Sequence, residues 1–388
     1  MAFADRIRAL TRNQKILVGT GVLVVVVLVI AVLVSAGGGS KQAATTTTSS
    51  SIASTTTTRP PVAPLTGLAQ SDAAKLSRPA LIAKVDNTPD AMSLQEGVDK
   101  ADLVYVEEVE QGVTRLAVVF QSQDDTVGPV RSARTSDLEV AADLGNPLFC
   151  YSGANGGVLR MVRSGPMTDM GVDRPEATPV YLRNQHGQGV HRFFLPTDQI
   201  YAVARRGAST PPMLFTYRSP GTTGSTTSTT ATTSTTSTAG VTPTAGAGEA
   251  AKSIQISYAG NSATTVRYDW TASGWARTQY GRPHVMADDK AQLTPKNVIV
   301  QFTPYHDSGF RDVTHALSPE ATLTGSGEAW VFTGGTVVRG RWTRATRGVV
   351  TTYTDAGGKP IELTPGQTFV ELVPSAGSVL GAGTVMIG

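Results

Sequence analysis

The longest apolar stretch of the chain, residues 16–34, contains 19 positions and no charged side chain. This length matches the roughly 20 residues with which a helix crosses a bilayer. The cations that precede it outnumber the one acid, which predicts a cytoplasmic N-terminus and an exported remainder. These side chains are Arg6, Arg8, Arg12 and Lys15 against Asp5. We expect a cytoplasmic tail over residues 1–15 and a retained single-pass membrane anchor over residues 16–35.

A cleaved signal peptide is the alternative for this segment. The residues Val34, Ser35 and Ala36 are small enough to form a cleavage site. The apolar core of a signal peptide ordinarily has about 7–15 residues, however, and this one is longer. With an anchor, the globular part faces the outside of the cell membrane; with cleavage, the protein is secreted.

Two tracts rich in serine and threonine divide the remainder. Residues 45–58 contain 12 Ser or Thr in 14 positions, and residues 221–238 contain 15 in 18. Such composition cannot bury apolar surface and predicts disorder. We expect a disordered stalk over residues 36–62 and a disordered linker or loop insertion over residues 219–250.

The segment between the tracts, residues 63–210, mixes strand and helix patterns. Strands are predicted at 79–85, 102–109 and 113–121, with a hairpin turn at Gln111 and Gly112. A helix is predicted over 136–144, because Ser136 and Glu139 have the spacing of a capping box and Gly145 follows. Further helices are predicted over 157–164 and from 197 to 207.

Short strands separated by turn residues fill residues 251–376. Gly334 and Gly335 between two strand patterns indicate a hairpin. The pattern predicts an all-β domain of the sandwich or barrel type. The fold class expected for the whole chain is therefore a single N-terminal transmembrane helix, an extracellular α+β (or α/β) domain, and a mostly-β C-terminal domain.

Composition excludes several functions. The formal net charge is only +3, and four of the cations lie in the predicted cytoplasmic tail, so no basic surface for nucleic acid is expected.

The single cysteine, Cys150, lies in an apolar strand pattern and is predicted to be a small buried hydrophobe. The five histidines have no zinc-ligand spacing, and phosphate-binding and dinucleotide-binding glycine motifs are absent. We expect no metal and no cofactor.

Two arginines stand out in the segment 128–137, GPVRSARTSD. Arg131 and Arg134 come just before a predicted helix N-terminus, which the helix dipole already makes positive. Cations there are favourable if an anion is held between them. That anion is either an internal carboxylate, such as Asp137, Glu107 or Glu108, or a bound ligand.

A second cluster follows the next predicted strand in the segment 151–157, YSGANGG. Its glycines let backbone N–H groups converge on an anion, and Ser152 and Asn155 offer side chains. A nucleophile elbow is absent, so Ser152 is a weak candidate nucleophile. The alternative is a tight structural turn.

Acidic residues form the third cluster: Asp86, Asp102, Glu107, Glu108 and Glu110. Alternation along a strand places Glu107 on one face and Glu108 on the other. Either residue could pair with an arginine or act with Asp86 as an acid and base, since paired carboxylates hydrolyse glycosidic bonds. Solvated charges and salt bridges are the simpler interpretation.

These motifs together resemble the YerB-like family of exported bacterial proteins. The matching stretches are 84–87 (KVDN), 101–105 (ADLVY), 128–134 (GPVRSAR), 151–153 (YSG), 296–298 (KNV) and 325–329 (GSGEA). The resemblance implies a two-part envelope protein, often a lipoprotein, of unknown reaction and ligand. This chain has no lipid-attachment cysteine after its apolar segment. Thr88 and Arg192 stand where the resemblance leads us to expect histidine and asparagine.

The sequence favours a membrane-anchored bacterial envelope protein that binds an anionic or glycan ligand of the cell wall. Arg131 and Arg134 would hold the anion, Ser152 and Asn155 would line the same concave surface, and a carboxylate from Asp86, Glu107 or Glu108 would lie nearby. Cell-wall glycans, peptides and phosphate polymers are the candidate partners. The alternatives are a wall hydrolase with paired carboxylates and a scaffold without a small-molecule site.

Overall fold

The structure, a computed structural model, describes residues 61–204, 208–219, 248–259, 264–312 and 314–388. The predicted membrane segment and both Ser/Thr tracts lie outside these ranges. Within them, no helix is long and apolar enough to cross a bilayer.

Short helices alternate with strands in the first part of the chain. The helices are α1 (Ala73–Ser77), α2 (Pro89–Met92), α3 (Ser136–Asp143), α4 (Gly156–Ser164) and α5 (Thr197–Val203). Single 3₁₀ turns lie at Val98–Lys100, Glu110–Gly112 and Gly189–His191. The strands are β1 (Leu81–Asp86), β2 (Leu103–Glu108), β3 (Thr114–Phe120), β4 (Thr126–Val127), β5 (Leu148–Cys150), β6 (Thr168–Asp169), β7 (Leu182–Arg183), β8 (Phe193–Pro196) and β9 (Thr216–Tyr217).

The second part is built from strands joined by turns, so the expectation of a mostly-β second part agrees with the structure. These strands are β10 (Glu249–Ala250), β11 (Ser253–Ser257), β12 (Thr265–Thr271), β13 (Gly274–Gln279), β14 (Arg282–Pro283), β15 (Asn297–Thr303), β16 (Tyr305–Arg311), β17 (Leu317–Ala321), β18 (Gly325–Thr333), β19 (Thr336–Arg344), β20 (Thr352–Asp355), β21 (Glu362–Leu363), β22 (Thr368–Pro374) and β23 (Thr384–Ile387).

One large sheet joins the two parts. Its strand order is β10-β19-β18-β15-β22-β2-β3-β1-β5-β6, and β20 pairs with β19. The connection is β22, which is parallel to β15 on one side and to β2 on the other. The second part therefore does not form the separate sandwich or barrel that its turn pattern predicts. Single-strand patterns cannot show that a late strand pairs with an early one, because that pairing depends on contacts distant in sequence.

Both faces of the large sheet are covered. Leu81 and Val85 of β1 lie in one core, and Ile82 between them lies in the other. The first core is completed by a second sheet of order β14-β13-β12-β11-β23, through residues such as Ile254. The other core is completed by α3, through residues such as Leu138. Strands such as β1 and β2 are consequently buried along their whole length.

Several local predictions are confirmed. β2 and β3 form the predicted hairpin, and Gln111 in its turn has a φ of 63°. The helices near 136 and 157 form, and Cys150 is fully buried. The capping box is wrong: α3 begins after Thr135 without a side-chain cap, because the Ser136 hydroxyl accepts the Ala321 N–H at 2.9 Å.

Candidate functional site

Four strand ends meet at one edge of the large sheet. β1 is antiparallel to β3 and parallel to β5, and β2 is antiparallel to β3. The carboxyl ends of β1, β2 and β5 therefore lie beside the amino end of β3. The register places Asp86 opposite Arg115. Charged residues from separate parts of the sequence meet here as a result.

Residues 128–135, which carry Arg131 and Arg134 and which we call the arginine loop, cross this edge between β1 and the turn after β5. The Arg131 N–H donates to the Lys84 carbonyl at 2.7 Å, and the Ser152 N–H donates to the Arg131 carbonyl at 3.0 Å. The Ala133 N–H donates to the Gly153 carbonyl at 2.9 Å. The two clusters that the sequence singled out are thus neighbours. Successive parallel strands are not the reason, because the arginine loop follows β4 and returns to the carboxyl end of β1, where Val130 forms a β-bridge with Val85.

A cleft of about 490 Å³ opens beside the loop, and we call it the arginine cleft. Its walls come from the loop, the start of α4, and the β16–β17 hairpin of the second part. The lining residues are Glu110, Arg115, Arg131, Ser132, Ala133, Arg134, Ala154, Asn155, Val158, Val190, Phe310, Arg311, Asp312 and Ser318. The predicted shared surface is formed by Arg131, Arg134 and Asn155. Ser152 does not line the cleft.

Arg131 is held by the carboxylate of Asp86. Its Nε lies 2.9 Å from Asp86 Oδ2, an ion pair whose N–H is not aligned for a hydrogen bond. Its Nη1 donates to the Val190 carbonyl at 3.3 Å. The same Asp86 oxygen lies 3.0 Å from His191 Nε2. Asp86 therefore orients both a guanidinium and an imidazole at the rim of the cleft.

Arg134 is paired with Glu110 through two hydrogen bonds. Nε donates to Oε1 at 2.7 Å and Nη2 donates to Oε2 at 2.9 Å. Burial acts to raise the pKa of Glu110, but the Arg134 guanidinium outweighs it, and the pKa of that carboxyl is lowered. The internal partners of the two arginines are thus Asp86 and Glu110, and neither Glu107 nor Glu108 contacts them.

A third arginine, Arg115, lies at the floor of the cleft. It is 8% exposed, and its described hydrogen bond runs from Nη1 to the Ser132 carbonyl at 3.0 Å. No carboxylate of the described residues lies within ion-pair distance, 4.0 Å, of its guanidinium. Burial, with the neighbouring Arg134 next in importance, lowers the pKa of Arg115 to about 10 against the raising effect of Glu110 and Asp86, so this arginine is cationic at neutral pH.

Asn155 has a structural role as well as a place in the cleft. Its Oδ1 accepts the Gly157 N–H at 2.8 Å and so caps α4. Its Nδ2 donates to the Arg311 carbonyl at 3.4 Å, which ties the helix to the β16–β17 hairpin. Asn155 therefore fixes the wall of the cleft, while its side chain remains exposed at the surface.

Glu107 lies below the loop in a fully buried ion triad. Lys84 contacts Glu107 and donates to Asp137 Oδ1 at 2.8 Å, and all three side chains are 0% exposed. Burial raises the pKa of Glu107 to about 7, against the lowering effect of Lys84. Asp137 Oδ2 also accepts the Arg134 N–H at 2.7 Å, so the triad anchors the loop to the sheet.

Glu108 lies on the opposite face of β2, as strand alternation predicts. It is completely buried, and its Oε2 accepts the Ala259 N–H at 3.3 Å. Its Oε1 has no hydrogen-bond partner among the described residues. Burial raises the pKa of Glu108 to about 8. The interpretation of this acidic cluster as solvated charges and salt bridges agrees with the structure for Glu107, which pairs with Lys84. It is wrong for Glu108, which is buried and has no ion pair among the described residues.

Sequence reasoning missed Arg115, His191 and the β16–β17 hairpin. Arg115 lies inside a strand pattern, where a cation is ordinarily assigned to an exposed face. Only the structure shows that Arg115 and its neighbours Thr114 and Leu116 are all buried. The hairpin lies about 180 residues away in sequence and carries no motif that connects it to the loop.

The fold and this cleft define a two-part protein with one shared sheet, and family comparison agrees with that division. Residues 65–209 match the N-terminal domain, and residues 254–370 the C-terminal domain, of a protein family of unknown function, DUF3048. The chain belongs to this family, which confirms the resemblance inferred from its motifs.

One relative is known by sequence and by structure. The chain is 26% identical over 328 residues to a Bacillus subtilis (strain 168) protein described as "Putative lipoprotein YerB", covering 80% of this chain and 86% of the relative. The crystal structure of YerB protein from Bacillus subtilis matches with a TM-score of 0.64 and 22% identity, over 84% of this chain and 99% of that one. The structural likeness shows a common fold.

Proposed function

We propose that this protein is a membrane-anchored, extracytoplasmic protein of the bacterial envelope that binds an anionic cell-wall ligand in the arginine cleft. The envelope location is supported by the apolar segment 16–34 and by the lipoprotein description of the YerB relative. Binding is supported by the cationic character of the cleft.

The single observation that carries the binding proposal is the state of Arg115. A nine-tenths buried guanidinium with no carboxylate partner in the described structure is costly to desolvate. Arg131 and Arg134 have internal partners, so their charges are largely compensated. An anion that enters the cleft would compensate Arg115 and gain charge-assisted hydrogen bonds.

The alternative functions have less support. A hydrolase would need two accessible carboxylates in one cleft. Glu107 and Glu108 are fully buried on opposite faces of β2, which leaves Asp86 without the predicted partner. A pure scaffold would have all its arginines neutralised internally and a shallow surface. Arg115 has no ion-pair partner among the described residues, and the cleft has a volume of about 490 Å³.

Binding to isolated bacterial cell walls tests the proposal. We expect the region from residue 61 onward to sediment with walls at low salt and to be released at high salt, because the contact is ionic. Arg115→Met should weaken the affinity for walls at least about tenfold, the equivalent of losing roughly 1.4 kcal/mol. Arg339→Met is the matched control, since Arg339 is exposed and pairs with Glu249 outside the cleft.

Arg131→Met is the second test variant. The Arg131 side chain is 24% exposed, and buried Asp86 keeps its contact with His191 when Arg131 is replaced, so this variant should keep its fold. Removal of a cation from the rim should weaken wall binding, and the folded variant separates a binding defect from unfolding of Arg115→Met. Equal sedimentation of Arg115→Met, Arg131→Met and Arg339→Met would contradict the proposal.

Membrane anchoring is a separate prediction. A tag placed after Gly388 should be accessible outside the cell, and the full chain should stay with membranes after a high-salt wash. The reason is the uncharged 19-residue segment 16–34 and the cations before it. A soluble protein that begins near Gly37 would show that the segment is a cleaved signal peptide.

A further inference from the structure

We propose that the ligand of the arginine cleft is a short peptide with a free C-terminal carboxylate and a free ammonium group. This inference rests on the proposed function and names its ligand class. The observation behind it is that the cleft lining contains one cation, Arg115, and one anion, Asp312, that have no ion-pair partner within 4.0 Å among the described residues.

Most of the charges in the cleft are already paired. Arg134 pairs with Glu110, and Arg131 lies against Asp86. Arg311 donates to both carboxylate oxygens of Asp307, at 2.8 and 2.9 Å. Arg115 is then the remaining cation of the described lining.

Asp312 is the remaining anion. It lies at the tip of the β16–β17 hairpin, and no cation of the described residues lies within ion-pair distance of it. Its Oδ1 accepts the N–H groups of Thr314 and Ala316 at 2.8 and 2.9 Å. Desolvation acts to raise the pKa of Asp312, but the hydrogen bond from the Thr314 hydroxyl, then the two N–H groups and the charge of Arg134, outweigh it and lower that pKa, so the group is ionised at neutral pH.

This distribution disfavours a phosphate monoester. A largely dianionic phosphate at Arg115 would lie in the same cavity as the Asp312 carboxylate, and like charges repel at short range. A carboxylate carries one charge and fits the planar guanidinium. An ammonium group at the other end of the ligand would be attracted by Asp312.

The remaining walls suit small apolar side chains. Val158, Val190 and Phe310 line the cleft, and Val190 is 60% exposed. Phe310 packs on the first turn of α4, where a Cβ on Gly157 would lie 2.1 Å from the Phe310 ring. A volume of about 490 Å³ is within the roughly 300–1000 Å³ of small-ligand sites. Peptides of small residues fit this combination of charge and apolar surface.

Calorimetric titration with tri-alanine of L and D configuration tests the inference. Three forms are compared: both ends free, C-terminal amide, and N-acetyl. We expect the amide to bind at least tenfold more weakly than the free peptide, and Arg115→Met to abolish that difference. We expect acetylation to weaken binding several-fold in the wild type and to have no effect in Asp312→Asn.

The design separates the peptide inference from the underlying binding proposal. Because Asp312→Asn should still bind the acetylated peptide normally, loss of both forms would point to a disrupted hairpin and would overturn the role given to Asp312. Binding of glycerol phosphate but of no peptide overturns the peptide inference and leaves the anion site standing. Equal binding of all three forms overturns the peptide inference, because neither charged end then contributes to binding. If neither a peptide nor glycerol phosphate nor cell walls bind, the proposed function itself fails.

Discussion

Replacing Lys84 by methionine should lower the free energy of unfolding by about 3–5 kcal/mol. The Lys84 ammonium is the one described cation in contact with Glu107 and Asp137, and all three side chains are 0% exposed. Without it, two carboxylates are left buried and uncompensated. Urea unfolding followed by tryptophan fluorescence measures the loss.

Lys75→Met is the matched control for this experiment. The Lys75 ammonium pairs with Asp124 at 3.0 Å, but both side chains are about one-quarter exposed. Exposed pairs of this kind contribute about 0–1 kcal/mol. Adding Glu107→Gln to Lys84→Met should restore part of the stability, because one buried charge is removed. Equal losses for Lys84→Met and Lys75→Met would contradict the assigned role of the triad.

The second large effect is a dependence of stability on pH that arises from Glu108. Burial raises the pKa of Glu108 from 4.5 to about 8 in the folded protein. Between these values the folded state keeps a proton that the unfolded state releases, so the free energy of unfolding falls as the pH rises. The expected fall between about pH 5 and pH 8 is roughly 2–5 kcal/mol. Glu107, whose pKa is raised to about 7, acts in the same direction.

Urea unfolding at pH 5.5 and pH 8.5 measures this dependence. Glu108→Gln should be less sensitive to pH than the wild type and more stable than it at pH 8.5, since the amide carries no charge to desolvate. Glu362→Gln removes a carboxylate from an exposed position and is the control. A wild-type protein that becomes more stable between pH 5.5 and 8.5 would contradict the prediction.

The arginine cleft depends on both halves of the family fold. The first part supplies the three arginines, and the β16–β17 hairpin of the second part supplies Phe310, Arg311 and Asp312. The shared sheet explains how these stretches come together, because β22 joins the two parts through parallel pairing on both its sides. The cleft is therefore a property of the joined parts.

Much of the local structure follows from the sequence alone. Alternation and turn residues predict the β2–β3 hairpin. Gly145 and the spacing of Ser136 and Glu139 predict α3, although the cap itself does not form, and apolar spacing predicts α4. The position of Arg131 and Arg134 before a helix, and the glycine-rich turn one strand later, identify the surface where the cleft opens. These signals succeed because they depend on residues close together in the chain.

Tertiary structure alone decided the rest. Strand alternation placed Glu107 and Glu108 on opposite faces, but only the packing of α3 on one face and the second sheet on the other buries them both. The pairing of β22 with β2, and the approach of the β16–β17 hairpin to α4, join segments separated by some 150–270 residues. Arg115 becomes a candidate ligand-binding residue for the same reason: its lack of a carboxylate partner depends on which distant residues the fold brings near it, and local sequence patterns do not encode those contacts.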